Sequence, residues 1–400
     1  MTRVCVLLPG PIENDGRVIR TIRTMLKAGA RVDLFFEGVA GDGEGIFNED
    51  VELHPVTRNT GIAAKLKRNT LFYRDWLVLS HAAIDAGHRY DVIWANDLPA
   101  LLPGHRMRAA CGGQLVYDAH EIFLETLNQC VPLDTGGFRG TVFHLLYRIM
   151  RVTGRRAERR LARGADRFVT VSRSLAEHFA AEYGIDTPAV MMNCPSGTGS
   201  PPETTIDFRK EYGWDPEDRI FLYQGIQNPG RGLPTLIEAV ARADARAKLV
   251  LVGSGPLNEE LCALVRERCV DGRVRFRAPV PYDDLPGITA AADFGVTLLE
   301  DLNLSTRLGA PNKLFEYLHA GLPVLVSDRA EARRVLDEYD VGVAVGPSVP
   351  AVAAGIEEMV RSDRVGTWRT NTHSAARAYC WETQARPIEE ALSDQSGPDQ

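Results

Sequence analysis

Two sets of short apolar runs, each run separated from the next by a stretch long enough for a helix, leave this sequence few ways to fold. In the first half the runs are Val4–Leu8, Val32–Phe36, Val92–Trp94, Leu115–Tyr117, Phe168–Val171 and Ala189–Met192. In the second they are Ile220–Tyr223, Ala247–Val252, Val274–Phe276, Phe294–Leu298, Pro323–Val326 and Gly342–Val345. Runs without polar alternation are buried on both faces, as parallel strands covered by helices are. Strand and helix alternating at this spacing make βαβ units. Between the sets, Pro195–Thr205 (P-S-G-T-G-S-P-P-E-T-T) has the composition of a linker. The expected fold class is therefore α/β, with two Rossmann-like doubly wound domains: residues 1–195, linker 195–205 and residues 206–374. Ligands are expected at the carboxyl ends of the strands. A last helix is expected around 375–392, followed by a disordered tail over Ser393–Gln400.

Composition excludes several classes. A chain of 400 residues with 44% hydrophobic and 25% charged residues has core enough for two or three domains. No run of 18 apolar residues occurs, and the sequence enters a strand at Val4, so neither a signal peptide nor a membrane span is expected. Seven scattered cysteines without C-x-x-C spacing read as reduced cytoplasmic thiols. A formal charge of −7 argues against a nucleic-acid partner. Between Arg139 and Arg167, however, nine arginines face only Glu158 and Asp166, with Val142, Leu145, Leu146, Ile149 and Met150 forming an apolar stripe. Such a helix buries its stripe in the core, the favoured reading, or lies peripherally on the inner face of an anionic membrane.

The chemistry concentrates in a few segments. In A-P-N-K-L-F-E-Y-L-H-A-G-L-P-V-L-V-S-D, Ala310–Asp328, Pro311 opens a helix, Leu314, Phe315 and Leu318 bury one side of it, and Gly321 ends it. A helix N-terminus suits a phosphate. Lys313 in the first turn and Glu316 one turn on supply a cation for a diphosphate and a carboxylate for a sugar diol; the plain alternative is a surface Lys–Glu pair. In Leu222–Ala239, L-Y-Q-G-I-Q-N-P-G-R-G-L-P-T-L-I-E-A, Arg231 stands among glycines before another helix. V-G-S-G-P, Val252–Pro256, places Gly253 in a tight turn after a strand, and Pro279–Tyr282 precedes a helix. In the first half, Asn14-Asp15-Gly16 is a turn signal, and Gly16 before a helix permits close backbone approach. V-Y-D-A-H-E brings Asp118, His120 and Glu121 off one strand end, and W-A-N-D brings Asp97 off another. In T-V-S-R-S, Ser172 reads as a helix N-cap.

The order and spacing of these segments, over nearly the whole chain, resemble glycosyltransferase family 4: retaining enzymes with two Rossmann-like domains facing across a cleft (GT-B). The resemblance implies that Glu316 is the second Glu of a Glu-x₇-Glu motif and binds ribose, while Leu308 stands where the first Glu belongs. Glu300, Asp301 and Arg307 lie nearby in sequence. It implies further that Arg231 and Lys313 bind diphosphate, that Gly16 and Gly253 line the donor site, and that Arg17 and Arg20 lie near the donor diphosphate and the acceptor. His120 would be catalytic beside the transferred sugar, and Asp97, Asp118 and Glu121 would lie on the acceptor side. Ile226 occupies a position where many members have Arg. The Pro279–Tyr282 region would pack the base, and the last helix would cross back onto the first domain. The implied activity is transfer of a sugar from a UDP- or GDP-sugar to an unknown acceptor, with retention and without metal or cofactor. An epimerase of the same fold, or a sugar-nucleotide-binding subunit without turnover, are the alternatives.

Overall fold

The computed structural model describes residues 1–13, 15–47, 50–57, 76–130, 152–197 and 201–394. These residues form two all-parallel sheets. The first orders its strands β3-β2-β1-β4-β5-β6-β7, from β1 (Arg3–Leu8), β2 (Arg31–Glu37), β3 (Val51–Val56), β4 (Val92–Asn96), β5 (Gln114–Ala119), β6 (Arg167–Thr170) and β7 (Ala189–Val190). The second runs β10-β9-β8-β11-β12-β13, from β8 (Arg219–Gln224), β9 (Ala247–Val252), β10 (Val274–Arg277), β11 (Phe294–Thr297), β12 (Val324–Ser327) and β13 (Gly342–Val345). Both orders reverse direction once, between β1 and β4 and between β8 and β11. At such a switch point the loops diverge and leave a crevice for ligand.

The strand Val51–Val56 was not among the expected runs, because Pro55 interrupts V-E-L-H-P-V. It forms at the edge of the sheet, with Pro55 opposite Phe36, where a missing N–H costs no ladder bond. Helices follow their caps and faces. In Gly16–Lys27, Asp15 accepts the Val18 N–H at 3.0 Å, and Val18, Ile22 and Met25 are buried. Ser172 caps Arg173–Tyr183 by accepting the Leu175 N–H at 3.2 Å. Over residues 152–162, Gly154, Glu158 and Ala162 face inward while Arg156, Arg159, Arg160 and Arg163 are exposed. The expected apolar stripe over 142–150 and most of the tail after Ser393 lie outside the described residues. Among the described residues no helix is long and apolar enough to cross a membrane.

The single helix expected over 375–392 is corrected. The chain makes three helices, Val365–Ala378, Trp381–Gln384 and Arg386–Ser393, because Tyr379 turns the backbone out of helical geometry and the Trp381 N–H donates to the Pro195 carbonyl at 2.9 Å. Packing divides the chain into two compact units, Met1–Met191 with Ala385–Gln400, and Met192–Gln384. The last helix lies against Gly16–Lys27 in the first unit. The segment expected as a linker is held within the second: Gly197 N–H donates to Glu382 at 3.2 Å and Thr205 N–H to the Gly287 carbonyl at 3.3 Å.

Candidate functional site

In the second unit, β8 ends at Gln224 and the chain turns through Gly225 to Arg231 before helix Leu233–Arg242. That helix has Gly232 at its N-cap with φ 62° and no side-chain cap, and helix Asn312–His319 likewise starts uncapped at Pro311. Each leaves first-turn N–H groups available to an anion. Gly225 has φ 115°, and a Cβ there would sit 2.8 Å from Lys313 Cε. Gly253 has φ 131°, and a Cβ there would meet the Gly225 carbonyl at 2.2 Å. Glycine is thus required at both turns, one to admit the Lys313 stem and one to let two βα loops touch.

Lys313 lies along this turn with its Nζ 5.5 Å from the Tyr223 ring centroid. Burial, and then the Arg231 guanidinium beside it, push its ammonium down to about 8, with Glu316 partly opposing. Neither Lys313 nor Arg231 forms an ion pair with a described residue. Two neighbouring cations with no ion-pair partner and only partial offset from Glu316 are costly unless an anion joins them.

Glu316, one turn along, accepts the Gln224 side-chain N–H at 2.7 Å, and Gln224 Oε1 accepts the Thr289 hydroxyl at 2.7 Å. The Gln224 main-chain N–H donates to the Tyr317 hydroxyl at 3.2 Å, and that hydroxyl donates to the Val296 carbonyl at 3.0 Å. These bonds anchor helix Asn312–His319 to the ends of β8 and β11. A cavity of about 180 Å³ opens beside them, lined by Gln224, Thr289, Glu316, Tyr282, Leu285 and His319 among others. Leu308 falls in the short helix Leu304–Leu308 and brings no carboxylate. Of its sequence neighbours, Asp301 is paired with Arg307 and lies 3.8 Å from Arg329. Glu300 instead lines a small cavity with Gly232, Thr235 and Ser327. Ile226 is 62% exposed at the turn.

In the first unit, the ends of β4 and β5 gather the acids and the histidine. Asp97 adopts φ 58°, a left-handed conformation unusual for a residue with a side chain. From there one carboxylate oxygen accepts the His120 main-chain N–H at 2.8 Å and the other lies 3.3 Å from Nδ1. His120 Nε2 lies 3.5 Å from Asp118. Burial alone would lower the imidazole, but Asp97 and Asp118 on either side raise it to about 9. At neutral pH this ring is an imidazolium. Glu121 is raised to about 7 by burial and by Asp97, while accepting the Thr126 hydroxyl at 2.6 Å. Burial likewise raises Asp97.

Asp118, expected on the acceptor side, is wholly buried and occupied within the fold. It accepts from Arg17 at 2.7 Å and from the Trp94 indole N–H at 3.2 Å, and it faces His120. Burial would raise its carboxyl, yet Arg17 and His120 hold it well below the usual carboxylate range. Arg17, which the resemblance placed near donor and acceptor, is 4% exposed and spends its guanidinium on Asp118 and the Met191 carbonyl. Substituting Asp118 by Ala strands Arg17 and His120 in the interior. The expected loss is about 3–5 kcal/mol of unfolding free energy, read from denaturant titration, with Asp118→Asn losing less. Gly16 begins its helix with room around it, a Cβ there meeting only the Arg20 guanidinium at 3.8 Å.

One group of described acids and imidazoles is close enough to hold a metal: Asp33, Glu52 and His88. A cation already sits there, since Arg3 pairs with Asp33 at 2.8 Å and Glu52 at 3.3 Å. Sequence reasoning missed Gln224 and Thr289. The available signal was a polar amide closing the otherwise apolar run Ile220–Tyr223.

Both halves of the chain resemble known proteins. Residues 17–195 match a family model described as a glycosyl transferase 4-like domain, and residues 218–362 match one described as glycosyl transferases group 1. A GDP-mannose-dependent alpha-(1-6)-phosphatidylinositol monomannoside mannosyltransferase of Mycobacterium tuberculosis is 26% identical over 247 residues, 58% of this chain. The match spans 63% of that relative's length. Among solved structures, sucrose-phosphate synthase of Thermosynechococcus elongatus superposes with a TM-score of 0.73 at 17% identity, covering 98% of this chain and 99% of that one. Anabaena HepE in complex with UDP and glucose gives a TM-score of 0.72 at 18% identity, covering 98% of this chain and 100% of that one. These likenesses show the GT-B fold. Taken with the two family models, they establish that the chain belongs to the group 1, family 4 type of glycosyltransferases.

Proposed function

We propose that this protein transfers a sugar from a nucleoside diphosphate sugar, UDP- or GDP-linked, to an acceptor, with retention of configuration and without a metal. The observation that carries the reading is the pair Arg231 and Lys313, neither in an ion pair with a described residue and only partly offset by Glu316, beside two uncapped helix N-termini. As the bond to the transferred sugar breaks, charge grows on the departing diphosphate. Fixed cations and backbone amides stabilise that charge most where water is excluded. Glu316 would take the ribose hydroxyls, and the Gly225 and Gly253 turns would let the backbone approach the phosphates. His120 is the catalytic residue of this reading: a fixed imidazolium at the strand ends of the first unit, held by Asp97 and Asp118. Asp97 and Glu121 are the carboxylates nearest to it with exposed surface, and so the acceptor-side candidates. Support for the donor class comes from the relatives, one named for GDP-mannose and one solved with UDP and glucose.

The test is a thermal-shift panel with UDP, GDP, ADP, dTDP and CDP. A ligand at a hundred times its Kd adds about 2.7 kcal/mol, a shift of a few degrees. A response to one base establishes the donor site; no response to any removes it. Retention is then read from the anomeric proton signals of the product. Leu308 favours one further reading, a subunit that binds the nucleotide and turns nothing over. It predicts a shift in the panel with no transfer to any acceptor.

A further inference from the structure

We propose that Gln224 and Thr289 act as positioning residues that make the donor site select ribose over 2′-deoxyribose, by fixing the direction of Glu316. This deepens the reading of Glu316 as the ribose ligand and rests on it. Gln224 closes β8 with 2% of its surface exposed, after four buried residues, Ile220, Phe221, Leu222 and Tyr223. A primary amide in such a place is costly unless both its ends are bonded. Both are: Nε2 donates to Glu316 Oε2 at 2.7 Å, and Oε1 accepts the Thr289 hydroxyl at 2.7 Å.

The chemistry assigns the amide's orientation. Reversed, its carbonyl oxygen would confront the Glu316 carboxylate. With Nε2 toward Glu316, the single Thr289 proton must serve Gln224 Oε1, although the Leu285 carbonyl also lies 2.7 Å from that hydroxyl. The chain Thr289–Gln224–Glu316 therefore runs in one direction only. It pins one carboxylate oxygen, while the other accepts no hydrogen bond from a described residue and is left to the cavity that Glu316 lines. A carboxylate whose direction is fixed beforehand spends little entropy in meeting two adjacent hydroxyls, and each bond to a charged group is strong. Removing one hydroxyl of the diol then costs a full charge-assisted bond.

The role is separable from holding the fold. The main-chain N–H of residue 224 bonds the Tyr317 hydroxyl, and any side chain at 224 leaves that tether in place. Gln224→Met keeps the length of the side chain and removes only its polar ends. Thr289→Val is isosteric and frees the amide to turn.

The experiment compares calorimetric affinities of the full chain for GDP against 2′-dGDP and for UDP against dUDP, using the base that binds. Wild type is expected to prefer the ribonucleotide by at least about tenfold, the size of one charge-assisted hydrogen bond. In Gln224→Met the preference should fall to about threefold or less, with Thr289→Val between the two. In a Glu316→Gln background, Gln224→Met should change nothing further, since the cycle closes on the pair. Gln224→Met and Thr289→Val proteins that both keep the full wild-type preference would overturn the positioning role while leaving Glu316 as the ribose ligand. A wild type that binds ribo- and deoxyribonucleotides equally, or a Glu316→Gln protein that keeps the preference, overturns the ribose reading of Glu316 and the proposal with it.

Discussion

Replacing Lys313 by methionine should lower kcat/KM for the sugar donor by about a hundredfold, the usual loss on removing one preorganised charge from a transition state. The same substitution should stabilise the unliganded protein. The two effects have opposite signs because they share one cause: the ammonium lies among apolar and cationic neighbours, with Tyr223 beneath it, Arg231 beside it and no ion-pair partner among the described residues. Methionine keeps the stem and drops the charge. The pH dependence follows from the same geometry. The folded-state ammonium titrates at about 8, below its ordinary 10.5, so between those values the unfolded chain binds more protons than the folded one. This group's contribution to stability therefore rises with pH across that window, and its cost is fully present below it. A diphosphate brings the charge back, so nucleotide binding above pH 8 should take up a proton and weaken as pH rises. Calorimetry in buffers of different ionisation enthalpy reads that proton directly. A Lys313→Met protein with unchanged kinetics would leave the diphosphate site without its main support.

His120→Ala should reduce kcat by about a hundredfold while changing nucleoside diphosphate affinity less than threefold, a split that marks an interaction made during the chemical step rather than in binding. His120 lies in the first unit, whereas Arg231, Lys313 and Glu316 lie in the second. The substitution also leaves Asp97 and Asp118 facing a space the imidazolium had filled. His120 is raised in the folded state to about 9 from 6.5. The stability it supplies is therefore fully present below about pH 6.5 and is lost as pH rises through 9. The rate should show an alkaline limb near pH 9 in the wild type that His120→Gln lacks. Loss of nucleotide affinity with unchanged kcat would place His120 at the donor rather than at the reacting sugar.

The sheets were legible because all strands but one announce themselves locally, as apolar runs of three to six residues in the sequence. Val51–Val56 was not, since its proline is compatible with a strand only at a sheet edge, and edge position is a property of the whole sheet. The break in the helix expected over 375–392 is likewise non-local: Trp381 is drawn to the carbonyl of Pro195, far back in the chain. The site divides the same way. Lys313, Glu316 and the turn glycines Gly16 and Gly253 could be named because each sits at a helix start or a turn whose signature is local, whereas Arg231 was named through the family resemblance of its segment. That Asp118 would be buried against Arg17, 101 residues away, could not be seen in V-Y-D-A-H-E. Nor could the bond from Gln224 to Glu316, across 92 residues, be seen in either segment. Local patterns show which residues stand at strand ends. Only the packed structure shows which of them are already spoken for.

The most direct measurement is calorimetric binding of a nucleoside diphosphate and the matching monophosphate to the full chain, in wild type, Arg231→Gln and Lys313→Met. A diphosphate site built on two cations without ion-pair partners predicts a preference of tenfold or more for the diphosphate in the wild type, reduced in each variant and abolished in the double variant. Equal affinity for mono- and diphosphate in the wild type, or a preference untouched by both substitutions, would contradict it.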